Sequence, residues 1–234
     1  MTNARAIVWD GSFNDTSLPK INLNYVPALP KAIYDFAADG LPIGSLNAWP
    51  DSANGAEMIV RVGAPTVVEV GGKRAVKLNG DRLGLDFTVT GPRTIVAVYR
   101  FTTLNTYRNM VTWGWANDQG GAIGSSYMST QMVGRVSTTE SLSLSAIKPD
   151  TSWHIAILSV NGANSCFRVD NTEVAGSLTL NDLKGITLGY SPDEPPSYTV
   201  PIEFRRVSIL GGTTTQPERN QLVNMLAARY GIVL

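Results

Sequence analysis

The sequence predicts an all-β domain, a sandwich or barrel, preceded by an extended arm and closed by one C-terminal helix. Three observations carry this reading. Short β-type runs recur between turn residues from Ile33 onward, 22 Gly and 13 Pro supply the breaks, and an amphipathic helical pattern with caps stands at the very end.

Residues 1 to about 35 read as the arm. Ser12 to Pro30 mixes Asn, Asp and Ser with Pro19, Pro27 and Pro30, which disfavours an isolated helix. The arm also carries Ile7, Val8, Trp9, Phe13, Leu18, Ile21, Leu23, Tyr25 and Val26, too many large apolar side chains for a free tail in water. They call for a partner surface, either an edge of the same domain or a neighbouring subunit. Five of these residues, Trp9, Phe13, Ile21, Leu23 and Tyr25, are therefore the expected assembly contacts.

The strands follow in order. PTVVEV (65–70), Gly71-Gly72 and AVKL (75–78) read as strand, turn and strand, and Asn79-Gly80 as a further tight hairpin turn. TIVAVYRF (94–101) is apolar on both faces, the mark of a central strand covered above and below. WHIAILSV (153–160) has the same character, and Asn161-Gly162 turns it into SCFRVD (165–170). GITLGY (185–190) and IEFRRVSIL (202–210) complete the set. The last places Ile202, Phe204, Val207 and Ile209 in the core, so its change of face predicts a bulge near Arg205.

The helix is predicted over 216–230. Thr215 and Glu218 form a capping box, Pro217 falls in the first turn, and Gly231 suits the left-handed position that ends a helix. Leu222, Val223, Leu226 and Tyr230 make one apolar stripe that must dock on a sheet.

Composition excludes several functions. Lys plus Arg and Asp plus Glu are 19 each, and 16% of residues are charged, so there is no basic field to follow a phosphate backbone and nucleic acid is not an expected partner. The chain lacks a stretch of about 18 apolar residues, so membrane insertion is not expected, and its first residues do not have the order of a secretion signal. One cysteine, Cys166, and one histidine, His154, put a Cys/His metal site out of reach.

Four segments together resemble the laminin-G-like, concanavalin-A-like jelly-roll family, in the form common among virion proteins of tailed bacteriophages. They are LPIGSLNAWPDSANG (41–55), PTVVEVGGKRAVKLNGDRLGL (65–85), WHIAILSVNGANSCFRVDNTEV (153–174) and IEFRRVSILGGTTTQPERNQLVNMLAARYGI (202–232). The resemblance covers about 36–234 and implies two antiparallel sheets packed face to face as a jelly-roll sandwich, with the helix attached and residues 1–35 as an anchoring arm. It implies a structural virion protein, a minor tail or tail-tip component made in the host cytoplasm. Its partners would be other virion proteins, copies of itself and a host-surface glycan. A capsid decoration protein or head fibre is the alternative, and a polysaccharide-cleaving enzyme the third.

Enzymatic function is not expected. Related glucanases carry E-x-D-x-x-E on one strand, whereas Glu57, Glu69, Glu140, Glu173, Glu194, Glu203 and Glu218 stand apart and read as solvated surface acids. His154, beside a core Trp153 and without a nucleophile motif, reads as structural, and Cys166 as a packed small residue. The candidate glycan surface is aromatic. Trp113 and Trp115 share a strand face with Asn117 and Asp118 at its exit, either a sugar-stacking platform or core filling. Tyr127 follows a Gly-rich turn, and Tyr190 and Tyr198 flank the Pro-rich loop 191–201, which reads as a contact surface or as an ordinary surface loop stiffened by proline. No cofactor is called for, and calcium is the one ion a lectin-type site there would take.

Overall fold

The computed structural model describes residues 28–104, 108–113, 121–125, 131–137, 139–189 and 201–234, with the side chains of 108, 109 and 113 left aside. Its strands form two sheets in which every recorded pairing is antiparallel. The first sheet contains β1 (Ala32–Ala37), β2 (Gly44–Ser45), β5 (Thr66–Val70), β6 (Lys73–Leu78), β8 (Arg93–Phe101), β13 (His154–Val160), β14 (Gly162–Val169), β15 (Thr172–Leu178) and β17 (Ile202–Gly211). Its order is β15-β14-β13-β8-β17-β6-β5-β2, with β1 also paired to β17. The second contains β3 (Ala48–Pro50), β4 (Glu57–Val62), β7 (Arg82–Val89), β9 (Arg108–Trp113), β10 (Gly121–Ser125), β11 (Met132–Arg135), β12 (Ser141–Leu144) and β16 (Leu183–Leu188). Its order is β12-β11-β10-β9-β16-β7-β4-β3. The fold is the two-sheet sandwich expected, with α1 (Gln216–Tyr230) as its C-terminal helix.

Two cores result from the strands that are apolar on both faces. Ile95, Ala97, Tyr99 and Phe101 of β8 and Ala156, Leu158 and Val160 of β13 face the partner sheet with Phe204, Val207 and Ile209 of β17. Val96, Val98, Ile155 and Ile157 face outward, where α1 covers them with Leu222, Val223, Leu226, Ala227 and Tyr230. At about 25 cal/mol per Å² of apolar surface removed from water, both layers favour folding, so the helix is part of the domain rather than an appendage. The helix ends as its sequence requires. The Thr215–Glu218 capping box is formed, and Gly231 takes φ 64° with its N–H donating to Ala227 O.

Three expectations change. Asn79-Gly80 does not close a hairpin. Gly80 has φ 82°, but β6 and β7 belong to different sheets, so this turn is the corner that carries the chain across the sandwich. The Asp81 carboxylate fixes that corner by accepting from the N–H groups of Asn79 and Ala64. Secondly, Leu29 is buried and Asp35 sits inside β1, so the sheet takes up the last residues read as arm; the expected contacts Trp9, Phe13, Ile21, Leu23 and Tyr25 lie outside the described residues. Thirdly, Glu203 is not a solvated acid: it is buried and paired to Arg100 at 2.7 Å.

Asp35 draws these elements together. Its carboxylate, fully buried, accepts from Arg206 Nε, Arg206 Nη2, Ser208 Oγ and the Leu29 N–H, and its own N–H donates to Asp51. The bulge at Arg205 makes this possible. Phe204 opposes Tyr99 and Arg206 opposes Val98, so Arg205 is the extra residue and both arginines reach the outer face while Phe204 and Val207 stay inside. Removing one partner of such a buried pair leaves an uncompensated charge. Asp35→Ala and Arg206→Ala are each expected to cost about 3 to 5 kcal/mol in urea unfolding, and the double variant clearly less than their sum.

Candidate functional site

One end of the sandwich collects the polar and aromatic groups. There β8 finishes, β13 and β17 begin, and His154 and Phe204 flank Tyr99 in register. Thr102 N–H donates to Pro201 O, which ties the segment after β8 to the one entering β17.

Trp153, just ahead of β13, is half-buried rather than core, correcting its expected place. It is held by two guanidinium groups, Arg205 Cζ at 3.9 Å from the ring centroid and Arg100 Cζ at 5.2 Å. Arg205 is fixed in turn by the carbonyls of Tyr230 and Val70, at 2.7 and 2.9 Å. Arg100 keeps a side chain 26% exposed and pairs with Glu203. Beside them the Tyr230 hydroxyl donates to Asp39 at 2.9 Å, where Arg229 also approaches to 3.5 Å. The aromatic ring, the partly exposed Arg100 guanidinium and the neighbouring acids form a surface able to bind polar rings and anionic groups.

His154 lies next to this surface, its ring 5.9 Å from that of Tyr99. Nδ1 contacts Asp170 Oδ2 at 2.6 Å and Nε2 contacts Asp150 Oδ1 at 2.9 Å. Asp170 also accepts from the Ile155 N–H. Burial disfavours the imidazolium, yet hydrogen bonds and charge from Asp170 and Asp150 outweigh it and raise the pKa. With both nitrogens committed to carboxylates, the ring has no free lone pair to take a substrate proton, and it acts as a clamp between the segment before β13 and the β14–β15 turn. Among the described residues, no three His, Cys, Asp or Glu side chains are grouped to hold a metal ion.

Of the aromatic residues singled out in the sequence, only the backbone of Trp113 belongs to the described residues. Trp113 closes β9, its backbone opposite Gly121, but its side chain and Trp115, Asn117, Asp118, Tyr127, Tyr190 and Tyr198 lie outside the described residues. Their attachment points are nonetheless informative. The segment 114–120 joins Trp113 to Gly121 at one end of β9, whereas 126–130 leaves from Ser125, opposite Arg108, at the other end. The segment 190–200 follows Gly189, bonded to Met110, and leads into Pro201. The described residues Ser125, Gly189 and Pro201 thus lie at the Trp153 end, and Trp113 and Gly121 at the opposite one. The Arg100–Trp153–Arg205 group was missed because Trp153 continues the apolar alternation of β13; the Arg pair at 205–206 was the available signal.

No protein-family model and no curated protein matches the chain. Solved structures of similar fold include the botulinum neurotoxin serotype D/C binding domain, with TM-score 0.61, 14% identity and coverage of 84% of this chain and 52% of that one. A botulinum neurotoxin type C structure, for which cell entry is described as dependent upon interaction with two ganglioside molecules, gives 0.58, 15%, 78% and 51%. Trypanosoma rangeli sialidase in complex with sialic acid gives 0.64, 12%, 88% and 34%. The chain spans about half the length of the neurotoxin chains and a third of the sialidase. At these identities the likeness establishes the β-sandwich fold.

The His154 clamp predicts a pH dependence. A raised folded-state pKa contributes stability that is complete below the ordinary imidazole value and is lost as pH rises through the raised one. Tm should therefore fall as pH rises above the ordinary imidazole value of about 6.5, and His154→Gln should flatten that slope while lowering Tm at the acid end.

Proposed function

We propose that this chain is a non-catalytic glycan-binding module, a β-sandwich that presents the Trp153 end to an acidic surface sugar. The observation that carries the reading is the half-buried indole with Arg205 and the partly exposed Arg100 beside it. An aromatic plane recognises the apolar face of a sugar ring, and a guanidinium recognises a carboxylate, by the same chemistry that suits sialic or uronic acids. The named ligands of the similar structures, gangliosides and sialic acid, support this choice of class. His154, the natural candidate for a general base, is sequestered by two carboxylates, which favours binding over hydrolysis.

The segments that resemble phage jelly rolls extend the proposal. The chain would be a minor tail or tail-tip subunit of a virion, with residues ahead of β1 serving assembly and the sandwich serving attachment to the host surface. Immunogold microscopy of intact particles tests this location; labelling confined to the capsid would replace it with a decoration or head-fibre role.

Binding is tested with the full chain on an array of neutral and acidic glycans. Acidic sugars should be retained, and Trp153→Ala and Arg100→Gln should each weaken binding by about tenfold, the worth of one stacking or charged contact. Equal binding by both variants would remove the Trp153 end as the site. Release of reducing sugar from host polysaccharide by the wild-type chain would overturn the non-catalytic reading.

A further inference from the structure

Arg93 is a buried guanidinium at the end of the sandwich away from Trp153. It opens β8 directly after the half-buried residues Gly91 and Pro92, and its register partners Val160 and Gly211 are the last residues of β13 and β17. Three strand ends therefore meet at its position. β8 has nine residues, so its two ends stand about 26 Å apart at about 3.3 Å per residue, and Arg93 is remote from the proposed glycan surface. Ile95, two residues on, belongs to the core between the sheets, which places Arg93 on the same inner side.

The charge of this residue is poorly answered. Arg93 is 0% exposed, and Nη1 donates to Gly91 O at 3.2 Å. Nε and Nη2 are buried with no acceptor among the described residues. Burial pushes the pKa down to about 10, opposed by the charge of Asp182, so the group keeps its proton at neutral pH. A buried cation with two open donors is costly to the fold unless something answers it.

We propose that the open edge of Arg93 binds a small monocarboxylate, admitted beside the Gly91–Pro92 turn. Nε and Nη2 form the side edge of the guanidinium plane, where two parallel N–H bonds match the two oxygens of a carboxylate. The register neighbours Val160 and Gly211 offer no polar side chain, so the further oxygens of a sulfate or phosphate would go unanswered, whereas a short alkyl tail is at home. A Cβ on Gly91 would meet no heavy atom within 4 Å, which leaves room for entry beside the turn. Asp182 is a poorer occupant. It is exposed and acts on Arg93 by charge without a hydrogen bond. The next residue, Leu183, is buried between the sheets opposite Val89, which directs Asp182 away from the inner side where Arg93 lies.

Titration of the full chain with acetate, against chloride and sulfate of equal ionic strength, tests the site. With half-saturation on the order of millimolar, about 50 mM acetate should raise Tm by about 5 °C more than either comparison salt. It should also shift one arginine Nε–H signal in the NMR spectrum. Arg93→Met should remove that signal and the acetate response, while leaving Tm without acetate unchanged or higher, because an unanswered buried charge is gone. Arg93→Lys keeps a charge but not the two-donor edge, and should lose the response as well. Equal stabilisation of the wild-type chain by all three salts would overturn the proposal, as would an acetate response that survives in both variants. A response seen in Asp182→Asn but not in the wild type would replace the ligand with an internal Arg93–Asp182 pair, and no response in either would leave Arg93 without a carboxylate site.

Discussion

The structure depends on one buried charge pair. Asp35 and Arg206 sit at an interface of β1, β17 and the helix, where neither charge has access to water. Their burial is tolerable because the carboxylate receives four protein donors and Arg206 is held protonated, hydrogen bonding to Asp35 outweighing the opposing effect of burial. A polar centre of this kind specifies register. β1 shifted by one residue would turn Asp35 into the inner core and Phe36 onto the helix side, and both changes are costly.

The same bulge that delivers Arg206 to Asp35 delivers Arg205 to Trp153. Two adjacent residues therefore do different work on one face: the first anchors the Trp153 indole, the second locks the strand where the chain enters the domain. This links the stability of the fold to the geometry of the proposed site. Arg205 is bound to the carbonyls of Tyr230 and Val70, so the position of the indole is set by the helix C-terminus and by β5 together. A site built on strand ends and a helix terminus is better preorganised than one built on loops alone.

Much of the fold was legible in the sequence because its signals are local. The double-sided apolar runs of β8 and β13 announced central strands, Phe204 and Val207 announced the bulge, and Thr215, Glu218 and Gly231 marked both ends of α1. The candidate site was far less legible. Trp153 carries the same hydrophobic signature whether its indole is interior or lies at a strand entrance, and Glu203 looks like any strand acid until Arg100 is placed opposite it. Asn79-Gly80 shows the limit most clearly, since the dipeptide dictates a backbone turn but not whether the next strand pairs with the last or crosses to the other sheet.

What the sequence determined by itself, then, is periodicity, turn chemistry and capping, all fixed by interactions within a few residues of the chain. What only the tertiary structure decided is which charges meet: Asp35 with Arg206, Arg100 with Glu203, His154 with Asp150 and Asp170, and Arg205 with Trp153. The physical reason is range. A burial pattern is printed along the chain, but the Asp35–Arg206 pair spans 171 positions and Arg100–Glu203 spans 103, and such partners exist only after two sheets and a helix have closed over them.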